Sequence, residues 1–344
     1  MTSPAQLPRV TIFSLGGTIA STNVGAGQNA DGVTPQLDAN DLVAAVPQLR
    51  QFADVETRPF GQVPSGDLTL NDLAALATAI DQRFAAGAAG VVVTQGTDTM
   101  EESAFALELL VGAVRPVVVT GAMRNPTLAG ADGPANLLAA VQVAASSDAV
   151  GLGTLVVTND EIHAARFVRK THSSSPAAFR SPSAGPLGWV IEGRPRIVFR
   201  VAKLQGLPSG APGRFPAVAL LTSALGDDAR LLATLEALEY AGLVLEAFGG
   251  GHVPGVVMPA LADLAARIPV VLASRTGSGE TLRDTYVFAG SERDMLSRGL
   301  ISAGFLDGPK ARILLSLLLS HGLAIEGVRD SFERMNASVT SFQS

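Results

Sequence analysis

The sequence predicts an α/β protein with two domains. The larger, N-terminal domain is expected to hold a mostly parallel, doubly wound sheet, and the smaller C-terminal domain to be of α/β (flavodoxin/Rossmann-like) type. Three observations predict this fold: short apolar runs end in small or polar residues, segments with helical spacing lie between most of them, and 344 residues suit two domains. Strands buried on both faces of a parallel sheet have such apolar runs, joined by helical crossovers.

Seven apolar runs are predicted as strands: RVTIFSL, GVVVTQ, RPVVVTGAM, GTLVVTN, AVALLTSA, GLVLEAF and IPVVLASR. Helical spacing is clearest in LNDLAALATAIDQRFAAG and GPANLLAAVQVAASS. Near the end, KARILLSLLLSHGL repeats leucine at helical spacing, which predicts a core helix rather than a cofactor-binding element. Ligands of open α/β sheets collect at the carboxyl ends of strands, so the polar residues that end the runs are the first place to look for a site.

The alternation of strands and helices lapses between residues 193 and 216, which are rich in proline, glycine and serine. We therefore predict an N-terminal domain at 1–205, a linker at 206–215 and a C-terminal α/β domain at 216–344. The N-terminal domain contains both of the glycine and threonine motifs described below.

Composition excludes several functions. The net charge of −6 comes without a cluster of lysine and arginine, so we expect no nucleic-acid partner. No apolar run is long enough for a membrane span, and MTSPAQLPRV lacks the features of a secretory signal, which predicts a cytoplasmic protein without a membrane partner. The chain has no cysteine, and its four histidines lack the spacing of metal ligands, so we expect neither a metal nor another cofactor.

Two motifs place a threonine after glycine at the end of an apolar run. FSLGGTIAS contains Thr18, and VVVTQGTDTM contains Thr97 followed by Asp98. Glycine lets a ligand approach the backbone closely, and a threonine hydroxyl can act as a nucleophile when another group accepts its proton. Such a threonine more often caps a helix, but the second hydroxyl, beside a carboxylate, favours chemistry.

Lys170, in FVRKTHSSS, is one of three lysines among 25 basic residues. A lysine can lose its proton when it is desolvated, whereas an arginine stays charged. From the sequence alone, a proton carrier and a solvated surface charge are equally good interpretations of Lys170.

These motifs resemble those of the bacterial-type L-asparaginase family, which includes glutaminase-asparaginases. LGGTIA (15–20) and QGTDTMEESAF (95–105) match the two signatures of the family, and VVVTGAMR, GADGPANL, VRKT and KARILL appear in the family's order. Two separated signatures with such a series form a specific match. The resemblance implies hydrolysis of the side-chain amide of L-asparagine to L-aspartate and ammonia, by a homodimer or homotetramer with sites at subunit interfaces.

The resemblance also implies roles for individual residues. Thr18 matches the nucleophile that forms an acyl-enzyme ester, and Thr97, Asp98 and Lys170 match a proton relay. The backbone N–H of Thr97 is the foremost donor to the developing oxyanion. Asp98 is also implied to pair with the substrate's α-ammonium group, and Ser65, in PSGD, to bind its α-carboxylate.

One departure concerns activation of the nucleophile. The family usually has a tyrosine in the loop after the first signature, and this chain has Gly32 at that position. Activation of Thr18 is then expected to use a water, another group, or a residue such as Tyr286 or Asp31.

Other departures concern the walls of the site. Leu15 and Gln95 replace a threonine and a histidine of the two signatures, and packing is the favoured interpretation of both. Gly66 stands where a side-chain amide often helps to hold the substrate's amino group. His252 stands where a neighbouring subunit commonly contributes an asparagine. Two interpretations of His252 are therefore equally good: a contact with the substrate, and a loop histidine without a role in the site.

Two alternatives remain open at this stage. One is a related amidohydrolase for L-glutamine or a modified asparagine, because Gly66 and His252 alter the rim of the pocket. The other is a non-catalytic amino-acid-binding homologue, which the presence of Thr18, Thr97, Asp98 and Lys170 argues against.

Overall fold

A computed structural model describes residues 6–23, 33–35, 39–204, 206–207 and 214–340 of the protein. The chain divides into two compact units, Met1–Ser209 and Gly210–Ser344. The predicted linker lies largely outside the described residues and stays a prediction.

In the first unit, eight strands form one sheet in the order β12-β11-β8-β7-β6-β5-β1-β4, and two short ribbons, β2-β3 and β9-β10, stand apart from it. The strands are β1 (Arg9–Ser14), β2 (Ser21–Asn23), β3 (Val33–Pro35), β4 (Asp54–Pro59), β5 (Gly90–Thr94), β6 (Val117–Thr120), β7 (Thr154–Thr158), β8 (Glu161–Ala164), β9 (Arg169–Lys170), β10 (Phe179–Arg180), β11 (Gly188–Ile191) and β12 (Arg194–Ile197). The helices are α1 (Ala39–Ala44), α2 (Leu70–Ala85), α3 (Met100–Leu110) and α4 (Gly133–Ala144).

The strand order creates a switch point in the large sheet. Strands β4, β1, β5, β6 and β7 are parallel, whereas β8, β11 and β12 continue the sheet antiparallel. The chain leaves β1 toward β4 on one side and then returns to β5 on the other. At such a reversal the loops that follow the two central strands diverge and open a crevice, which is where open α/β sheets bind ligands.

Helices cover both faces of the parallel part of the sheet. On one face, alternate strand residues such as Ile12 and Val92 pack against α4 and α1. On the other face, Phe13 and Val93 pack against α2 and α3. Strands β1, β5, β6 and β7 are therefore buried on both sides, which explains their continuous apolar sequences. Helix α2 begins with a capping box in which Thr69 and Asp72 exchange hydrogen bonds.

The second unit contains a four-stranded parallel sheet in the order β13-β14-β15-β16. The strands are β13 (Val218–Thr222), β14 (Gly242–Ala247), β15 (Val270–Ser274) and β16 (Ile301–Ser302), and the helices are α5 (Leu232–Leu235), α6 (Met258–Ala265), α7 (Glu292–Ser297), α8 (Gly308–Ser320) and α9 (Ile325–Thr340). Helices α5, α6 and α7 share a core with one face of the sheet.

The structure confirms the predicted fold class, and all seven apolar runs form parallel strands of the eight-stranded and four-stranded sheets. The alternation of strands and helices extends further than the sequence indicates, because Arg194–Ile197 form β12, the edge strand of the large sheet. Its alternation of arginine and proline hides the strand in the sequence. Proline is tolerated there because an edge strand leaves some N–H groups without a partner strand.

Candidate active site

The first glycine motif forms a tight turn directly after β1. Gly16 and Gly17 both adopt positive φ angles, 98° and 86°. This left-handed backbone conformation costs glycine little and strains other residues. Thr18 follows as the first residue of a 3₁₀ turn, Thr18–Ala20, and its side chain is half-buried.

The two glycine motifs contact each other through their backbones. A Cβ atom on Gly17 would lie 2.1 Å from the backbone nitrogen of Gly96, so this approach requires glycine. A backbone hydrogen bond also joins the ends of β1 and β5, because the Leu15 N–H donates to the Thr94 carbonyl at 2.9 Å. Thr18 and Thr97, each the next residue after a touching glycine, therefore lie on adjacent segments at the switch point.

We expect Gly17→Ala to destabilise the first unit by about 2 kcal/mol or more, because the new methyl group meets backbone atoms and the φ angle is unfavourable. Gly66→Ala is the matched control, since nothing lies within 4 Å of a Cβ atom built there. Urea unfolding of both variants measures the difference. Equal stability of the two proteins would contradict the close approach of the two turns.

Lys170 joins the residues of the second motif. Its Nζ atom donates to Thr97 Oγ1 at 2.9 Å and to Asp98 Oδ1 at 2.6 Å. The Lys170 side chain is 15% exposed and that of Asp98 is 79% exposed, whereas Thr97 is buried. Lys170 is thus not a solvated surface charge. Its contacts have the geometry in which a lysine can pass a proton to or from a hydroxyl.

Glu101 positions the backbone of Lys170. Lys170 belongs to β9, which pairs with β10 in a short ribbon outside the large sheet. The Glu101 carboxylate, in the first turn of α3, accepts a hydrogen bond from the Lys170 backbone N–H. The helix that begins just after Asp98 therefore also holds the segment that carries the lysine. This role could not be predicted from the local sequence, although Glu101 lies within the second signature.

Ser65 lies under the second motif. Its hydroxyl accepts a hydrogen bond from the Asp98 N–H at 3.3 Å, and its carbonyl accepts one from the Thr99 hydroxyl at 2.8 Å. The side chain is buried, and a Cβ atom on Gly96 would lie 2.7 Å from Ser65 Oγ. The hydroxyl proton of Ser65 can still be donated. Gly66, the next residue, is exposed and has open space where a side chain would project.

A buried histidine anchors the end of the ribbon. His163 Nδ1 lies 2.9 Å from Ser181 Oγ, directly after β10, and His163 Nε2 lies 3.2 Å from Glu161 Oε2. Arg180 donates to both oxygens of Glu161. Burial lowers the pKa of His163, and the attraction of Glu161 only partly offsets this effect.

This histidine predicts a pH dependence of stability. Because its pKa is lowered in the folded protein, the unfolded chain binds the proton more readily, so stability is lost as the pH falls below about 6.5. The loss attributable to one group cannot exceed about 1.4 kcal/mol per pH unit. Urea unfolding at pH 7.5 and 5.5 should show a smaller difference for His163→Asn than for the original protein. The same difference in both proteins would contradict the assignment.

His252 belongs to a cluster in the second unit. Its ring meets those of Tyr286 and Phe288 edge-on, with centroids 4.8 and 5.2 Å apart, and its Nε2 atom lies 3.1 Å from Glu292 Oε2. Glu292 is fully buried, and its carboxylate accepts hydrogen bonds from the backbone N–H groups of Thr285 and Tyr286, both at 2.8 Å. Burial raises the pKa of Glu292, but these hydrogen bonds outweigh burial and hold the pKa below its usual range.

Several predictions made from the sequence stay predictions. Gly32 and Asp31 lie outside the described residues, so the substitute for the loop tyrosine stays open. Tyr286 is half-exposed beside His252, and the predicted substrate contact of His252 stays a prediction. Within the described parts of the chain, there is no group of three or more histidine, aspartate or glutamate side chains that could hold a metal ion.

Comparison with known proteins shows which family the chain resembles. The family model described as "Asparaginase, N-terminal" matches residues 9–202, and that described as "Glutaminase/Asparaginase C-terminal domain" matches residues 217–332. A "Probable L-asparaginase" of Deinococcus radiodurans is 39% identical over 333 residues, covering 96% of this chain and 98% of the relative. An L-asparaginase of Bacillus licheniformis is 34% identical over 326 residues, with 94% and 98% covered.

A solved structure agrees with the fold. The crystal structure of a "Probable Cytoplasmic L-asparaginase" from Campylobacter jejuni has a TM-score of 0.84 and 32% identity, and the match covers 95% of this chain and 99% of that one. Both units of the chain thus match proteins named as L-asparaginases. The chain belongs to the asparaginase family of amidohydrolase enzymes.

Relatives differ in the compartment that their names give. The C. jejuni protein is named cytoplasmic, whereas a Haemophilus influenzae relative, 34% identical over 345 residues, is named "Probable L-asparaginase periplasmic". Across the described residues, no helix combines the length and apolar character needed to cross a membrane.

Proposed function

We propose that the protein hydrolyses the side-chain amide of L-asparagine to L-aspartate and ammonia, with Thr18 as nucleophile. The observation that carries this proposal is the contact of Lys170 Nζ with both Thr97 and Asp98, at the switch point where the Thr18 turn touches the second motif. Family membership gives the reaction class, and this geometry supports the roles of the residues.

The proposed reaction has two halves. Thr18 Oγ1 forms a bond to the amide carbon, its proton passes to the amide nitrogen, and the C–N bond breaks to release ammonia. Water then attacks the resulting ester, which yields the carboxylate of aspartate and restores the Thr18 hydroxyl. Thr97, Lys170 and Asp98 form the relay that moves protons during these steps, with Lys170 between a hydroxyl and a carboxylate.

The remaining contacts support recognition of an amino acid. Asp98, whose side chain is largely exposed, can receive the α-ammonium group, and the hydroxyl proton of Ser65 can be donated to the α-carboxylate. The backbone N–H of Thr97 is the proposed donor to the oxyanion.

A second candidate substrate is L-glutamine or a modified asparagine. The open space at Gly66 favours it, because a pocket without a side chain at this position has room for a longer amide. Ammonia release from L-asparagine, D-asparagine and L-glutamine, each with Thr18→Ala as the blank, tests both candidates. Release from L-asparagine alone supports the first, release mainly from glutamine supports the second, and silence with measurable binding would support a non-catalytic homologue.

We further propose that the protein is cytoplasmic and works as a homodimer or homotetramer. The name of the C. jejuni protein supports the location, and cell fractionation tests it. The exposed aromatic side chains of Tyr286 and Phe288 beside His252 support a subunit contact at this surface. Light scattering of the protein in solution measures its mass, and a monomer would contradict the proposal.

The role of Glu101 gives a further prediction. Glu101→Leu should lower kcat about tenfold, because the backbone of Lys170 loses an acceptor and its Nζ atom is placed less well. Glu101→Gln keeps an acceptor oxygen and should stay within about threefold of the original kcat. Steady-state assays of both variants make the comparison. Equal losses in the two would show that the charge of Glu101, rather than its hydrogen bond, matters.

A further inference from the structure

Gln95 lies between the last residue of β5 and Gly96, and its side chain is fully buried. Its backbone N–H donates to the Thr120 carbonyl at 3.1 Å, which continues the ladder between β5 and β6. Its side-chain Nε2 atom lies 3.3 Å from the Gly96 carbonyl and donates to it. A buried side chain thus holds the carbonyl of the peptide bond that joins Gly96 to Thr97.

That peptide bond also carries the Thr97 N–H. In a trans peptide the C=O and N–H groups lie in one plane and point in opposite directions. A donor that holds the Gly96 carbonyl toward the buried side therefore directs the Thr97 N–H away from it. The Thr97 N–H itself makes no hydrogen bond to any other residue in the described part of the chain.

The amide of Gln95 is poorly explained by packing. Its Oε1 atom is buried and accepts no hydrogen bond from a described residue. Exchanging the oxygen and nitrogen would set Oε1 against the Gly96 carbonyl, two acceptors together, so Nε2 must face that carbonyl. A buried unpaired polar atom costs stability, whereas an apolar side chain of similar shape would fill the same space without this cost. The presence of an amide at this position therefore indicates that the donor has a use.

We infer that Gln95 is a positioning residue of the oxyanion site: its side-chain amide fixes the peptide plane between Gly96 and Thr97 so that the Thr97 N–H faces the reacting carbonyl. This inference rests on the proposed function, since it supplies the orientation that the oxyanion donor requires. It replaces packing as the interpretation of Gln95. A donor fixed before the reaction stabilises the developing charge without reorganising, so its loss affects the chemical step more than substrate binding.

Two substitutions test the inference: one removes the hydrogen-bond donor of Gln95, and the other, as the control, keeps a donor. The methionine side chain of Gln95→Met has a similar length but no donor. This variant should lower kcat about tenfold while KM changes less than threefold. The effect is smaller than the loss of about 10²–10³ in kcat that removal of an oxyanion donor itself causes. Gln95→His restores a ring N–H donor and should keep kcat within about threefold of the original. The pH profile of kcat should keep its midpoints in both, since the Lys170 relay is intact. Should the methionine variant not fold, Gln95→Asn, whose amide is too short to reach Gly96, replaces it.

Three kinetic results would overturn the inference: an unchanged kcat in Gln95→Met, a change confined to KM, or equal losses in the methionine and histidine variants. Crystal structures of the original protein and Gln95→Met give a readout that does not need activity. The Gly96 carbonyl should turn away from its present direction in the variant, and an unchanged peptide plane would also overturn the inference. An original protein that releases no ammonia would contradict the proposed function, while the crystal structures would still decide the role of Gln95.

Discussion

Thr18→Ala is expected to lower ammonia release from L-asparagine by about 10⁴-fold or more, because loss of a nucleophile removes the covalent route altogether. The side chain is small and half-buried at the end of a turn whose geometry the preceding glycines set, so the fold should remain intact. Calorimetry should still detect binding of L-aspartate, since Asp98 and Ser65 are unchanged. A coupled ammonia assay at millimolar substrate measures the loss.

Thr18→Ser is the control for this experiment. It keeps the hydroxyl and removes one methyl group, so it should retain turnover that is readily measured above the alanine variant. Turnover in Thr18→Ala equal to that of the original protein would exclude Thr18 as nucleophile and redirect attention to Thr97. Loss of aspartate binding together with turnover would instead indicate that Thr18 shapes the pocket.

Lys170→Met is expected to lower kcat by about 10²–10⁴-fold, the range of general acid–base catalysis. The methionine fills similar space but cannot exchange a proton with Thr97 or pair with Asp98. Lys170→Arg should also be slow, because arginine keeps the charge but does not give up its proton near neutral pH. Steady-state assays over a range of pH separate the loss of a proton carrier from the loss of a charge.

Arg180→Met is the matched control for the lysine variants. It lies on the same ribbon, on the strand paired with that of Lys170, and its ion pair with Glu161 is partly exposed. Surface pairs of this kind contribute about 0–1 kcal/mol to stability, so turnover should stay within about twofold. A loss below tenfold in Lys170→Met, or an equal loss in Arg180→Met, would remove Lys170 from the relay.

Seven of the parallel strands could be predicted from the sequence, whereas the parallel strands β4 and β16 and the antiparallel strands could not. Strands such as β5 and β7 are buried on both faces, so every residue is apolar or a small hydroxyl and the run is visible. Strand β8 is only four residues long, β11 and β12 are partly exposed, and β12 contains a proline between two arginines. Such segments form strands because a neighbouring strand offers them backbone hydrogen bonds and packing. The local sequence does not show whether such a neighbour is present.

The candidate site divides in the same way. Local sequence was sufficient to single out Thr18, Thr97 and Asp98, because a turn between a buried strand and a helix needs glycine and leaves few positions for a polar side chain. Lys170 was ambiguous, since its role depends on a ribbon that returns to the second motif from more than 70 residues away. Glu101 and Gln95 were missed or assigned to packing because each acts on the backbone of another residue.

By itself the sequence determined the fold class and both glycine turns, along with the chemical groups available at the switch point, because these follow from local periodicity and from residues that only certain backbone conformations accept. Only the tertiary structure decided that Lys170 contacts Thr97 and Asp98, that Glu101 holds Lys170 and that Gln95 holds the Gly96 carbonyl. Contacts between distant segments depend on how strands and ribbons assemble, and directions of individual N–H groups depend on side chains packed beneath them. Neither is encoded within a single short stretch of residues.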